Sequence, residues 1–202
     1  MKVKILSLVL IVVAAILTCI NPIYPNEMFL QHLGTLILLA ILSVDIKRNK
    51  WTLGAYLGIA SFTLLHVIAA RFIYSYVPYS AWSEWIFGFS IDETFGFERN
   101  QFDRFVHFAY GIMFFPFAMQ VFGKWKGLTV FQTVLVAWLS IQTLSMIYEL
   151  FEWSLTLVMS NEAADNYNGQ QGDWWDPHKD MVLATLGSSV MAVWYLVKGQ
   201  RK

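Results

Sequence analysis

The sequence predicts an all-α fold, a polytopic membrane helix bundle of about six transmembrane helices with both termini cytoplasmic. Three observations predict it. Of 202 residues, 57% are hydrophobic and only 14% charged, with nine Trp and sixteen Phe, and the mean hydropathy is +0.51. A soluble domain of this length needs far more charge to solvate its surface. The apolar residues fall into long runs separated by short polar breaks, and the basic residues alternate between the two sides those runs define. A net charge of zero gives no sign of a nucleic-acid partner, and the lone Cys19 excludes an internal disulfide and a CxxC zinc site. The lipid bilayer is the partner that composition implies, around a single integral membrane domain, 1–202.

Segment one, Val3 to Ile20 (about 3–20), stands behind Lys2 and Lys4 and ends at Asn21-Pro22. Its form also fits a signal peptide, with Leu17-Thr18-Cys19 faintly like a lipoprotein cleavage site. Its apolar length favours a retained helix. Segment two, Met28 to Val44 (28–44), is followed by Asp45-Ile46-Lys47-Arg48-Asn49-Lys50. Segment three, Thr52 to Ala70 (52–70), carries Gly54, Gly58 and Ser61 as a small-residue stripe suited to close helix packing, and ends with His66 and Arg71.

Residues 71–100 hold too many charges to span, and their Tyr and Trp content predicts an aromatic loop lying at the membrane interface. Segment four follows from Phe102 to Phe122 (102–122). Segment five, Leu128 to Met159 with its span at 128–157, exceeds the ~20 residues needed to cross, so it tilts or protrudes. Segment six opens at Asp176-Pro177, an expected N-cap and first-turn proline, and spans 177–197.

With six spans and an inside N-terminus, ten basic residues fall inside (Lys2, Lys4, Lys47, Arg48, Lys50, Lys124, Lys126, Lys198, Arg201, Lys202) and four outside (Arg71, Arg99, Arg104, Lys179). This distribution satisfies the positive-inside rule. It then places His66 and Arg71, Asp103 and His107, Glu149 and Glu152, and Asp173, Asp176 and Asp180 all at the outer ends of their helices. Four helices deliver ionisable groups to one level.

Spacing sharpens the expectation. Asp103 and His107 are one helical turn apart on a stripe with Asn100 and Gly111, and Glu149 and Glu152 continue inward through Ser145 and Gln142. Charges at membrane depth are costly and face a protein interior or a wet cavity. Two acids one turn apart repel unless a cation, a shared proton or an arginine compensates. His107, Glu149, Glu152 and Asp176 are the candidate catalytic groups, and the same four are N and O donors suited to a divalent metal ion. His66, Arg71, Asp103, Asp173 and Asp180 complete a substrate-binding or structural polar network. Structural roles stand beside these: the arginines can neutralise the acids, His66 can close an interhelical hydrogen bond, and Asp176 can act only as a cap. There is no HExxH, Walker loop or GxSxG.

DRFVHFAYG (Asp103–Gly111), YELFEW (Tyr148–Trp153) and QGDWWDPHKDM (Gln171–Met181) resemble the YjdF-like family of bacterial inner-membrane proteins, a domain of unknown function. That resemblance covers nearly the whole chain and implies a bacterial plasma-membrane location. A second likeness is to VanZ-like membrane proteins, matched at Asp103 with His107, at Glu149, and at Asp176 with Asp180, and departing at Ala184 or Thr185 and at Glu152. It suggests envelope chemistry. Three functions remain open: a membrane-embedded enzyme with an outward-facing site for a lipid-linked or cell-envelope substrate, a structural or accessory subunit, and a small ion-coupled transporter.

Overall fold

A computed structural model describes residues 1–160, 164 and 167–199 of the chain. Arg201 and Lys202, two of the basic residues counted above for orientation, lie outside the described residues. Eight helices are described: α1 (Lys2–Thr18), α2 (Pro25–Arg48), α3 (Leu53–Arg71), α4 (Tyr79–Phe87), α5 (Ile91–Phe95), α6 (Phe102–Phe122), α7 (Val130–Thr156) and α8 (Asp176–Gly199). Among the described residues there is no strand. Five of the helices, α2, α3, α6, α7 and α8, are long and apolar enough to cross a membrane. At 17 residues, α1 is about 25 Å long, and it packs alongside α3 and α2.

The bundle is built as two three-helix halves. Ile11, Leu42, Tyr56, Ile59, Ala60 and Val67 form the core of the α1–α2–α3 half. Phe115, Ala118, Val134, Ala137 and Ile141 form that of the α6–α7–α8 half. The α3–α6 contact joins them. Outside these cores the helices keep apolar side chains exposed, among them Leu36, Phe131, Leu150 and Val193, as helices facing lipid do.

Local chemistry starts and stops these elements. Thr52 caps α3 by accepting from the Ala55 N–H, and Thr129 and Gln132 form a reciprocal capping box at α7. Asn49, in left-handed backbone with φ 47°, ends α2. Arg71 donates from Nη1 to the Thr18 and Ile20 carbonyls at 2.6 and 3.0 Å, covering the C-terminal end of α1. It thus serves a helix end and stands apart from the acidic residues.

The small-residue stripe of α3 is corrected in part. A Cβ on Gly58 would overlap the Met113 carbonyl of α6, but Gly54 meets nothing within 4 Å and Ser61 is exposed. The stripe runs along the edge of the packed face, whose centre is Tyr56, Ile59, Thr63 and Val67. The segment 71–100 is likewise more than an interfacial loop. It contains α4 and α5 with exposed Trp85 and Phe87, but Ile73 and Val77 are fully buried.

Lys4 changes role. Counted in the sequence as an orienting charge, it is 3% exposed and donates to Asp45 Oδ2 at 2.6 Å and to the Trp51 carbonyl at 2.8 Å. Asp45 Oδ1 accepts from the Lys50 and Trp51 N–H groups. Breaking a buried pair strands the remaining charge. Lys4→Met is therefore expected to cost about 3 kcal/mol, at the lower end for such pairs because two backbone donors stay on Asp45. Thermal unfolding in detergent checks this, with Lys4→Met/Asp45→Asn expected to recover part of the loss.

Candidate functional site

One end of the bundle gathers the start of α2, the end of α3, the start of α6, the end of α7 and the start of α8. Asn100 sets the start of α6, its Oδ1 accepting from the Phe102 N–H at 3.0 Å and its Nδ2 donating to the Val77 carbonyl at 2.8 Å. One turn in, Asp103 and His107 share the face that α6 turns to α8, and both are buried. From α8, Asp180 meets them, and one ligand atom from each of Asp103, His107 and Asp180 lies within 4.8 Å of the others. Glu149 of α7 closes the group. His107 Nε2 is 3.8 Å from Asp103 Oδ1, and its Nδ1 is 3.6 Å from Glu149 Oε1, both just beyond hydrogen-bonding distance.

The arginines are engaged elsewhere. Arg99 donates to both oxygens of Asp176, at 2.6 and 3.2 Å, and to the carbonyls of Gly169 and Gln170. Arg104 donates to Asp173 and, at 3.0 Å, to Asp176. Lys179 adds a 2.5 Å contact to Asp173. Lys179 first, with the Trp175 N–H and Arg104, holds the Asp173 carboxyl down at about 2. This outer lock consumes the local cations. Among the described residues, no lysine or arginine forms an ion pair with Asp103, Glu149, Glu152 or Asp180. Buried Glu149 Oε1, Asp180 Oδ1 and Ser145 Oγ have no hydrogen-bond partner among them.

Beside the cluster lies a cavity of about 310 Å³. Gly34, Ile37 and Leu38 of α2, Phe62 of α3, and Leu144 of α7 give it apolar walls, and His66, Tyr74, Asp103 and His107 form its polar end. It occupies the gap between α2 and α7, which make no extended contact among the described residues. His66 is held there by the Tyr74 hydroxyl on Nδ1 and the Gln31 carbonyl on Nε2. Tyr74 is delivered by backbone with φ of 43° at Ile73 and 59° at Tyr74. Such conformations cost about 1–3 kcal/mol each outside glycine, and a β-branched residue there is a true outlier.

The structure therefore sorts the nine expected residues into five placements. Asp103, His107, Asp180 and Glu149 meet in the buried cluster. Asp173 and Asp176 belong to the arginine lock. Asp176 is the first residue of α8, and the cap-like contact comes from Asp173, whose Oδ1 accepts from the Trp175 N–H at 3.0 Å. Glu152 is half-buried, its carbonyl accepting from Asn168 at 3.3 Å, and His66 stands at the cavity with Tyr74. Arg71 lies outside the site. Sequence reasoning missed Tyr74, Gln31 and Gly34. It also missed Gly169, whose backbone (φ 69°) passes so near Asp103 that a Cβ would stand 3.4 Å from Oδ2.

Fold and site together define a polytopic helical membrane protein with a buried histidine–carboxylate cluster at one end of an apolar cavity. The family described as "Predicted membrane protein (DUF2238)" matches residues 3–201, and the chain belongs to that family. It is 30% identical over 156 residues to the inner membrane protein YjdF of Escherichia coli (strain K12), covering 76% of this chain and 69% of that protein. No solved structure matches the chain. The VanZ-like pattern rests on the residues quoted above alone.

Proposed function

We propose that the protein is a membrane-embedded enzyme of the bacterial inner membrane whose site faces outward and acts on a lipid-linked or cell-envelope substrate. The inner-membrane location follows that of the relative YjdF, and the outward orientation follows from the basic residues. The observation that carries the reading is the cavity of about 310 Å³ that is apolar along its walls and ends on Asp103 and His107. Ligand sites in helix bundles are of this kind, apolar pockets with a few convergent polar groups. Its position between α2 and α7 gives an acyl or prenyl chain a lateral way in from the bilayer, bringing a polar head to the cluster. His107 with Glu149, Asp103 and Asp180 then supplies the reacting groups, Asp176 sets the position of α8, and Glu152 lines the same end of α7.

The transporter reading is disfavoured by where the polar line ends. Gln142 is closed off by Ser188 at 2.7 Å and Thr185 at 2.5 Å, and beyond it lies the apolar core of Phe115, Ile141 and Ala137. The accessory-subunit reading accounts for the arginine lock but not for carboxylates buried without a cation.

Mass spectrometry of membrane lipid extracts tests the proposal. A deletion strain is expected to accumulate a lipid-linked species that the wild-type gene clears. His107→Gln, still inserted and folded, should clear it at least about 100-fold more slowly, as loss of an acid–base or ligating group does. Identical profiles in all three strains would remove the enzymatic reading.

A further inference from the structure

We propose that Asp103, His107 and Asp180 form a site for one divalent transition-metal ion, and that Glu149 orients the imidazole that binds it. This deepens the reading of the cluster as reactive, but its test reads metal occupancy rather than turnover, so the two fail separately.

Geometry is the first support. The three donor atoms lie within 4.8 Å of one another on two helices that cross in close contact. Donors sharing a tetrahedral ion at about 2.1 Å stand about 3.4 Å apart, so side-chain shifts of up to about an ångström close the site. His107 presents its two nitrogens to different partners, Nε2 towards Asp103 and Nδ1 towards Glu149. Metal-bound histidines are arranged this way, one nitrogen on the ion and the other N–H donated to a carboxylate that fixes the ring.

The orphaned oxygens are the second, independent support. Asp180 Oδ1 and Glu149 Oε1 are buried in residues only 3% and 5% exposed, and neither has a partner among the described residues. Leaving buried carboxylate oxygens bare is costly, because each loses its hydration without replacement. An ion on Asp180, and an Nδ1–H drawn in from 3.6 Å to Glu149, satisfy both. The charge count agrees, since the nearby guanidinium groups are committed to Asp173 and Asp176.

Chemistry narrows the ion. One imidazole and two carboxylates suit Zn²⁺ or Mn²⁺, whereas Mg²⁺ and Ca²⁺ prefer all-oxygen sets. Three protein ligands leave a position open. Asp103 and His107 both line the cavity, so the open position is accessible to the polar head of an amphiphile.

The experiment uses full-length protein purified in detergent, stripped with chelator, dialysed against Zn²⁺ or Mn²⁺, gel-filtered and assayed by elemental mass spectrometry. Wild type is expected to hold about one ion per chain and to melt at a higher temperature with it than without. His107→Gln and Asp180→Asn should lose both the ion and the metal-dependent shift, whereas Glu84→Gln on α4 keeps them. Glu149→Gln should retain the ion with roughly 10–100-fold weaker affinity, as loss of an orienting partner does. Wild type that takes up neither ion overturns the site, as does an ion that persists in the His107→Gln/Asp180→Asn double variant. Loss in Glu149→Gln as complete as in His107→Gln overturns its orienting role. An occupied site with unchanged lipid profiles would sustain the metal and sink the enzymatic reading.

Discussion

Gly187→Leu is expected to yield no folded protein, and Gly187→Ala to cost about 3 kcal/mol or more, the upper range for overpacking. The reason lies in how α6 and α8 cross. A Cβ at Gly187 would overlap the Phe108 carbonyl and stand 3.1 Å from its carbon, and one at Gly111 would overlap the Ala184 carbonyl and stand 2.6 Å from the Ser188 nitrogen. The obstacles are backbone atoms, which cannot swing aside as a flexible side chain can. In a membrane, where lipid tails are as apolar as leucine, close backbone approach is a large part of what holds two helices together. This crossing also sets the separation of Asp103 and His107 on α6 from Asp180 on α8, so the variant that still folds should hold a looser cluster. Gly54→Ala is the control, since nothing lies within 4 Å of its Cβ. It should be neutral or slightly stabilising through helix propensity. Melting temperatures and monodispersity in detergent report both; a Gly187→Ala protein as stable as wild type would show that the crossing has room.

Much of this architecture is legible in the sequence because apolar length and spacing are one-dimensional quantities. The long helices lie close to their expected bounds, and the one-turn spacings place Asp103 with His107 and Asp176 with Asp180 on shared faces. Partner choice is different, because it depends on contacts between distant positions. Nothing local says that Arg99 reaches across 77 residues to Asp176, which leaves Asp180, one turn on, for the inner cluster. Glu149 and Glu152 look equivalent in sequence, but three residues of helix leave them about 60° apart, enough to bury one and half-expose the other. Apolar windows also trim polar ends. The expected start of segment two at Met28 is preceded by a turn from Pro25, and the interior of that helix carries Gln31, whose carbonyl holds His66. Tyr74 gave no sign at all, because its place depends on left-handed backbone at Ile73 and Tyr74, which neither residue favours.

Asp176→Ala is the most damaging change expected among the charged residues, at about 3–5 kcal/mol, the cost of stripping one partner from a buried ion pair. Asp176 is 1% exposed and receives three charged hydrogen bonds from Arg99 and Arg104. Its removal leaves two largely buried guanidinium groups to share Asp173, and Arg104 Nε already lacks a partner among the described residues. The damage extends inward. A freed Arg104 has Asp180 as the next acid along α8, and a guanidinium there competes with any cation for the same oxygens. Asp176→Ala is therefore expected to lower the melting temperature and also to weaken metal uptake, whereas Asp176→Asn, which keeps one acceptor and the shape, does less of both. A double-mutant cycle with Arg99→Gln separates the pair from its surroundings. If the lock is as described, Arg99→Gln/Asp176→Asn is more stable than the sum of its single changes predicts. Additive losses would mean that the arginines are solvated and that the acids of the inner cluster are not isolated from cations after all.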